Sequence, residues 1–285
     1  MTRIHCLGAF AFSLIGAPAL GAPHLTIEAS APAIILQMEA LPVSVRLTND
    51  GDSAFRYAND LILGASTPAP GFRPRYLVGW FEVSSQAGAS RRVYRTRYDP
   101  EQREGAEGKL SLNVGEHITR EVTLSFDWER MRDPHLFEDV GNYMIQLHFD
   151  NGERVFSSAP FRVSVVAPPT SEQQAFAILQ SLDEKSLRAV YEPSLLFPQQ
   201  PLSVRLADLA NTPSEVYGPY VKLALVEYHI SRADIARVAP DRYDRVSELD
   251  AARRLLRDVG EHARSRPSVA SRMHRLEELI AEPSE

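Results

Sequence analysis

The chain has 285 residues, of which 44% are hydrophobic and 24% are charged. This composition excludes a wholly disordered chain, a collagen and a polytopic membrane protein. The formal net charge of −6 gives the protein no general attraction to nucleic acid or anionic lipid. We therefore expect a globular protein with one large domain or two ordinary ones.

Residues 1–21 have the pattern of a secretory signal peptide. Arg3 supplies the positive start, residues 7–15 form a short apolar core, and Ala19 and Gly21 supply the small residues that signal peptidase requires. An uncleaved anchor is the alternative, but the apolar core is short for a bilayer, which needs about 20 residues. We expect cleavage after Gly21 and no membrane span in the mature protein.

Cys6 is the one cysteine of the chain, and it lies inside this signal peptide. Secreted eukaryotic domains of this size usually carry disulfides, so a mature protein without cysteine favours a bacterial periplasm or exterior. We therefore expect a periplasmic or secreted bacterial protein that is stabilised by apolar burial alone.

From residue 22 to residue 166, apolar residues recur at every second position between turn residues. Residues 41–47 alternate clearly, and residues 143–149 and 154–156 flank an Asn-Gly pair, which is a strong hairpin signal. The pattern gives about seven or eight strands with no helix between them. It predicts an antiparallel β-sandwich over residues 22–166.

The segment that contains Asp139, Gly141 and Tyr143 resembles the Asp-x-Gly-x-Tyr-x-Cys entry to strand F of immunoglobulin-like domains. The resemblance implies a tyrosine corner, in which the Tyr143 hydroxyl bonds to upstream backbone. Ile145 stands where the immunoglobulin cysteine would be. Apolar packing is therefore expected to replace the disulfide.

A second resemblance covers residues 112–143. Leu112-Asn-Val-Gly-Glu116, Trp128 and Tyr143 are similar to the Leu-x-Pro-Gly-Glu, Trp and Gly-x-Tyr run of small bacterial sandwich modules, which include proteinase-inhibitor-like and fibronectin-type domains. Val114 stands in place of the proline. The resemblance implies an immunoglobulin-like sandwich and leaves inhibition as a secondary possibility.

Residues 167–171 contain two prolines and are predicted to be a linker, because the apolar period changes there to that of a helix. Residues 172–285 then read as successive helices. Parts of this region resemble tetratricopeptide-type helix hairpins, without a clean repeat. The predicted fold class is thus α+β in separate domains, with an all-β immunoglobulin-like sandwich followed by an all-α helical-hairpin domain.

The helix starts predicted in this second region include three in its later part. Thr212 as N-cap, Pro213 at the first helical position and Glu215 two residues later indicate a largely buried helix. Ser247 and Pro267 indicate the starts of two more helices, and the short turn between those helices predicts antiparallel packing.

The sequence contains no G-x-S-x-G, H-E-x-x-H, phosphate-loop or dinucleotide-binding motif. Its histidines form no i, i+4 pair of the kind that zinc sites use. We therefore predict no catalytic residue, no metal ligand and no cofactor, and we expect that the protein is not an enzyme.

Four residues are candidates for binding. Arg91, Arg95 and Arg97 are predicted to share one face of a strand, where they would hold an anionic glycan or a phosphate. The alternative is an edge strand whose charges prevent aggregation. Trp128 follows a predicted strand and is either a carbohydrate platform or a core residue, whereas Trp80 is expected in the core.

These features predict an exported, non-catalytic binding or scaffold protein that contacts an unidentified protein partner in the cell envelope. Nucleic acid and membrane are not expected partners. The prediction rests on analogy with the modules that both regions resemble. The alternatives are an inhibitor or regulator of an exported protease and an accessory domain of an extracytoplasmic hydrolase.

Overall fold

The strands come first along the chain and the helices follow. The computed structural model describes residues 24–56, 62–63, 78–85, 90–93, 111–126, 135–150, 154–191, 204–259, 263 and 267–281. Its strands are β1 Leu25–Ser30, β2 Ile34–Leu36, β3 Leu41–Asn49, β4 Phe55–Arg56, β5 Ile62–Leu63, β6 Val78–Ser85, β7 Ser90–Val93, β8 Ser111–Leu112, β9 His117–Leu124, β10 Gly141–Asp150, β11 Val155–Ser157 and β12 Phe161–Val166. A short 3₁₀ helix, Thr170–Glu172, precedes the α-helices α1 Gln173–Gln180, α2 Glu184–Tyr191, α3 Val204–Asn211, α4 Tyr217–Val238, α5 Arg245–Arg257 and α6 Pro267–Ala281. The fold is therefore α+β overall.

The strands form two main sheets. One sheet has the order β1-β3-β9, and the larger sheet has the order β2-β12-β10-β6-β5, with β11 beside β10 and β7 beside β6. Most pairs are antiparallel, but β2 runs parallel to β12 and β5 runs parallel to β6. These two parallel pairs were not expected from the sequence. Both involve strands of two or three residues, which are too short to show an alternating pattern.

A single hydrophobic cluster lies between the two sheets. Alternate residues of β3 are buried, and the inward residues of β6, β10 and β12 join the same cluster. Ile145 is completely buried in this cluster, so it packs as an apolar residue without a disulfide. Burial of each such side chain contributes about 1.5–3 kcal/mol.

The hairpin expected from the Asn-Gly pair joins β10 and β11. His148 lies opposite Ser157, and Asp150 lies opposite Val155. The Asn-Gly turn itself, at residues 151–153, lies outside the described residues.

The helices pack around α4, whose buried residues include Tyr217, Tyr220 and Leu223. This helix begins at Tyr217, so the predicted start with Thr212 as N-cap is wrong. The Thr212 hydroxyl instead donates to the Asp208 backbone oxygen at the end of α3. The first turn of α4 is satisfied by Ser214, whose Oγ accepts from the amides of residues 217 and 218 at 2.8 and 3.0 Å.

The start predicted at Ser247 is also displaced. Helix α5 begins at Arg245, because the Asp244 carboxylate accepts a hydrogen bond from the Val246 amide and acts as N-cap. Ser247 donates its hydroxyl to that same carboxylate. Helix α6 begins at Pro267, as the sequence predicts.

The helices and the sandwich meet in a buried junction. The Tyr191 hydroxyl of α2 donates to the backbone oxygen of Met38, and the Tyr217 hydroxyl of α4 donates to that of Gln37 at 2.7 Å. The hydrophobic cluster of the helices also includes residues from the strand region, namely Met38, Ala40 and Phe126. The helical region is therefore packed against the sandwich through a common apolar cluster.

The segment predicted as a linker, residues 167–171, runs into this packed region. The 3₁₀ helix begins within it, and Glu172 at the end of that helix is buried. The Glu172 carboxylate accepts from the Ser214 hydroxyl at 2.5 Å and from the Glu215 amide at 2.8 Å. These bonds tie the start of the helical region to the first turn of α4.

Among the helices that the structure describes, none is both long enough and apolar enough to cross a lipid bilayer.

Candidate functional site

Most of the residues predicted for binding cannot be placed. Arg91 lies in β7 opposite Val83, but its side chain is outside the described part of the structure. Arg95, Arg97 and Trp128 lie outside the described residues altogether. The cationic strand face and the tryptophan platform therefore stay predictions.

The three tyrosine-corner residues lie at the start of β10. The Tyr143 hydroxyl donates to the Asp139 backbone oxygen at 2.9 Å, which is the hydrogen bond that defines such a corner. Gly141 has a φ of 152°, a conformation that residues with a side chain rarely adopt. These residues shape the chain where it enters the sheet.

The outer face of the larger sheet, which points away from the sandwich core, carries an aromatic and polar cluster. Trp80 of β6 lies opposite His148 of β10, and their rings stack at 5.2 Å with 21° between the planes. His148 Nδ1 lies 2.8 Å from Ser157 Oγ, and its Nε2 lies 3.5 Å from Glu82 Oε2. These contacts link three adjacent strands.

The expected core position of Trp80 is therefore wrong. Phe81 points into the core with 2% of its surface exposed, whereas Trp80 lies on the opposite side and is partly exposed. Two adjacent aromatic residues in a strand cannot both face inward. The alternation alone does not say which of them does.

Apolar side chains are exposed at the other end of this outer face. Ile34, Val140, Met144 and Val166 have exposed fractions of 63%, 55%, 38% and 37%. Val166 lies opposite Leu36, which packs against the helical cluster. We call the four exposed residues the apolar end of the outer face, and it lies next to the junction with the helices.

His135 lies at that junction and is 2% exposed. Its ring is 5.0 Å from the ring of Phe126 and 5.2 Å from that of Tyr191. Desolvation in these surroundings lowers the pKa of His135 to about 3. Its Nδ1 accepts from the Phe137 amide, and Nε2 has no hydrogen-bond partner among the described residues.

A polar cluster connects α4 with α5 and the loop between them. Glu248 of α5 contacts His229 Nδ1 at 2.6 Å and Arg232 Nε at 3.2 Å. The Arg232 guanidinium lies over the rings of Tyr243 and Tyr228, at 4.1 and 5.2 Å from their centroids. Burial raises the pKa of Tyr228. We call these five residues the Glu248 cluster. The sequence did not predict this cluster, because Tyr243 and Glu248 come from outside α4, which supplies the other three members.

The described residues of the helical region line two open cavities. One has a volume of about 430 Å³ and is lined by Arg253, Leu256, Arg257, Glu277, Ile280 and Ala281. The other has a volume of about 410 Å³ and is lined by Ala236, Pro240, Asp241, Arg242, Tyr243, Asp244 and Arg245. The second cavity adjoins the Glu248 cluster, because both include Tyr243. No group of three or more potential metal ligands occurs among the described residues.

Comparison with known proteins gives no family. No family model and no curated protein matches the chain. Similar solved structures include the CARDB domain of a Pyrococcus furiosus protein, which is 15% identical, with 51% of this chain and 96% of that chain covered and a TM-score of 0.27.

Two enzymes are also among the similar structures. Alkylpurine DNA glycosylase from Pseudomonas fluorescens is 18% identical, with 50% of this chain and 30% of that chain covered and a TM-score of 0.26. A β-glucuronidase from Bacteroides uniformis is 10% identical, with 86% and 32% covered and a TM-score of 0.23. Similarities this low support no conclusion about function.

Proposed function

We propose that this protein is an exported, non-catalytic binding protein that contacts a protein partner through the apolar end of the outer face. The observation that supports this proposal is the group of exposed apolar side chains formed by Ile34, Met144 and Val166, which lie on strands, and by Val140, which directly precedes β10. Apolar surface that is gathered on one face and surrounded by polar residues is typical of protein-protein interaction sites.

Polar groups lie beside and within this apolar end. Arg162 lies opposite Met144 in the sheet and is exposed. Between the exposed apolar residues, the Ser164 hydroxyl donates to the Asn142 side-chain oxygen at 2.8 Å. Specific protein interfaces combine apolar contacts with hydrogen-bonding groups in this way.

The neighbouring junction would hold this surface in a fixed position relative to the helices. Leu36, the last residue of β2, packs against the helical cluster, and Met38, two residues later, belongs to it. Two tyrosine hydroxyls bond to the backbone of the segment that directly follows β2. A surface that is already ordered loses less conformational entropy when it binds. A partner that spans both regions would therefore meet a preformed arrangement.

Export is the second part of the proposal, and it rests on the signal peptide pattern of residues 1–21. Intact-mass measurement of the protein recovered from the periplasm or the medium tests it. We expect a mature chain that starts at Ala22. A full-length chain retained in the cytoplasm would contradict export.

Chemical crosslinking of the exported protein in its own envelope, followed by mass spectrometry, tests the binding proposal. The double variant Ile34→Glu with Met144→Glu places two charges on the apolar end and should abolish the crosslinked partner. Val238→Glu is the matched control, because Val238 is 85% exposed at the end of α4 and far along the chain from this face.

The proposal is contradicted if the double variant is still crosslinked to the partner. It is also contradicted if crosslinking of the unaltered protein yields no protein other than itself. The identity of a recovered partner also separates the alternatives. A protease would favour the inhibitor hypothesis, and an extracytoplasmic hydrolase would favour the accessory-domain hypothesis.

A further inference from the structure

The Glu248 cluster fixes the orientation of one histidine ring. Glu248 Oε2 lies 2.6 Å from His229 Nδ1. Because an ionised carboxylate can only accept a hydrogen bond, Nδ1 carries the proton that faces Glu248, and in the neutral form of the ring Nε2 keeps a free lone pair. In that neutral form His229 presents a hydrogen-bond acceptor at Nε2.

The same carboxylate helps to hold an arginine. Arg232 Nε lies 3.2 Å from Glu248 Oε1, and the guanidinium lies 4.1 Å from the ring centroid of Tyr243 and 5.2 Å from that of Tyr228. The aromatic rings and the carboxylate contact at Nε hold the guanidinium in place. Its two terminal nitrogens are therefore a fixed pair of hydrogen-bond donors.

These donors and the acceptor are both open to a ligand. Among the described residues, neither the terminal nitrogens of Arg232 nor Nε2 of His229 has a hydrogen-bond or ion-pair partner. The side chains of Arg232 and His229 are 27% and 19% exposed. They lie three residues apart on α4 and therefore on the same side of that helix.

We infer that Arg232 and His229 form a binding site for an oxyanion that also carries a hydroxyl group, with inorganic phosphate as the simplest case. The arginine nitrogens donate to the charged oxygens, which is the pairing that a guanidinium makes most readily. The phosphate hydroxyl donates to Nε2 of His229. Sulfate has the same tetrahedral shape but carries no hydroxyl at neutral pH, so it lacks the second contact.

Titration of the protein with inorganic phosphate, followed through the imidazole ¹⁵N resonances at constant pH and ionic strength, tests this inference. We expect the His229 Nε2 resonance to shift and to saturate. His274 is the internal reference, because it also pairs with a glutamate, at 3.3 Å from Glu278, but is 76% exposed on α6. Sulfate should bind at least about tenfold more weakly than phosphate, which corresponds to the loss of one good hydrogen bond.

Arg232→Lys keeps the positive charge and removes the paired donors, so it should weaken phosphate binding at least about tenfold. Arg237→Lys, an exposed position near the end of the same helix, is the matched control. Equal shifts of His229 and His274, or equal affinity for phosphate and sulfate, would overturn the inference. If Arg232→Lys fails to fold, the phosphate-sulfate comparison on the unaltered protein decides the matter.

This site does not depend on the proposed function. It lies on α4 and α5, whereas the proposed partner surface lies on β2, β10 and β12. Failure of either experiment therefore leaves the other interpretable.

Discussion

The hydroxyl of Tyr217 in α4 donates a 2.7 Å hydrogen bond to the backbone oxygen of Gln37, which lies 180 residues earlier in the chain. Tyr191 makes the corresponding bond to Met38, and burial raises the pKa of its hydroxyl well above the usual value, so that it stays a donor. The short segment after β2 thus receives two side-chain bonds from two different helices. Strands and helices are expected to depend on each other for stability.

Tyr217→Phe tests this dependence. The variant keeps the ring and removes the bond to Gln37, so we expect a loss of about 0.5–1.5 kcal/mol in the free energy of unfolding. Urea unfolding should be followed by tryptophan fluorescence, since both tryptophans precede residue 167, and by far-ultraviolet circular dichroism, which reports the helices. Both transitions should shift together.

Tyr143→Phe is the matched comparison, because it removes a hydroxyl bond that lies wholly within the sandwich. If the protein unfolds as one cooperative unit, this variant also moves the transition of the helices. Two separate transitions, with only the tryptophan signal affected by Tyr143→Phe, would contradict the coupling.

His135 predicts an acid-sensitive junction. Its pKa is lowered from 6.5 to about 3 by burial, so the folded protein holds it neutral while the unfolded chain binds a proton below about pH 6.5. The contribution of neutral His135 to the free energy of unfolding is therefore fully present above about pH 6.5. It decreases as the pH falls from there toward 3, by up to about 1.4 kcal/mol per pH unit. Arg188, whose guanidinium lies over the Phe126 ring, would repel the added charge.

His135→Asn supplies the measurement. Its side-chain oxygen can replace Nδ1 as the acceptor for the Phe137 amide, but it does not titrate. Urea midpoints from pH 7 to pH 4 should fall less steeply for the variant than for the unaltered protein. Parallel curves would show that His135 contributes nothing to the acid sensitivity.

The first turn of α4 depends on Ser214. Its Oγ accepts from two backbone amides and donates to the buried Glu172 carboxylate. Ser214→Ala removes these three bonds and should cost about 1–2 kcal/mol in the free energy of unfolding. Thr212→Ala is the control, because the Thr212 hydroxyl makes one bond, to a carbonyl of α3. A larger effect at position 212 than at 214 would contradict this assignment of the cap.

Two glycines should respond in opposite ways to alanine. Gly115 has a φ of 80° in the turn before β9, so Gly115→Ala should destabilise the protein by about 1 kcal/mol even though its added Cβ meets no atom. Gly218 lies inside α4, where an added Cβ would make an ordinary 3.5 Å contact with Ser214. Gly218→Ala should therefore stabilise the protein by up to about 1 kcal/mol. Thermal unfolding of both variants checks the two signs.

Local patterns in the sequence predicted local structure well. The alternation of residues 143–149 gave β10 and its hairpin with β11, and Pro267 gave the start of α6. These features depend on neighbouring residues and on periods of two or 3.6, which a sequence displays directly. The start of α4 was missed because its amides are satisfied by Ser214 and, indirectly, by Glu172 from 42 residues away.

The amino-acid sequence by itself determined which segments form strands and which form helices, since backbone geometry makes the side-chain period visible within a few residues. Only the tertiary structure decided that Phe81 and not Trp80 faces the core, that Gln37 and Met38 meet the helices, and that Glu248 brings His229 and Arg232 together. Each of these outcomes depends on packing and hydrogen bonding between residues that are far apart in the chain or on opposite sides of a strand, and no local period records such contacts.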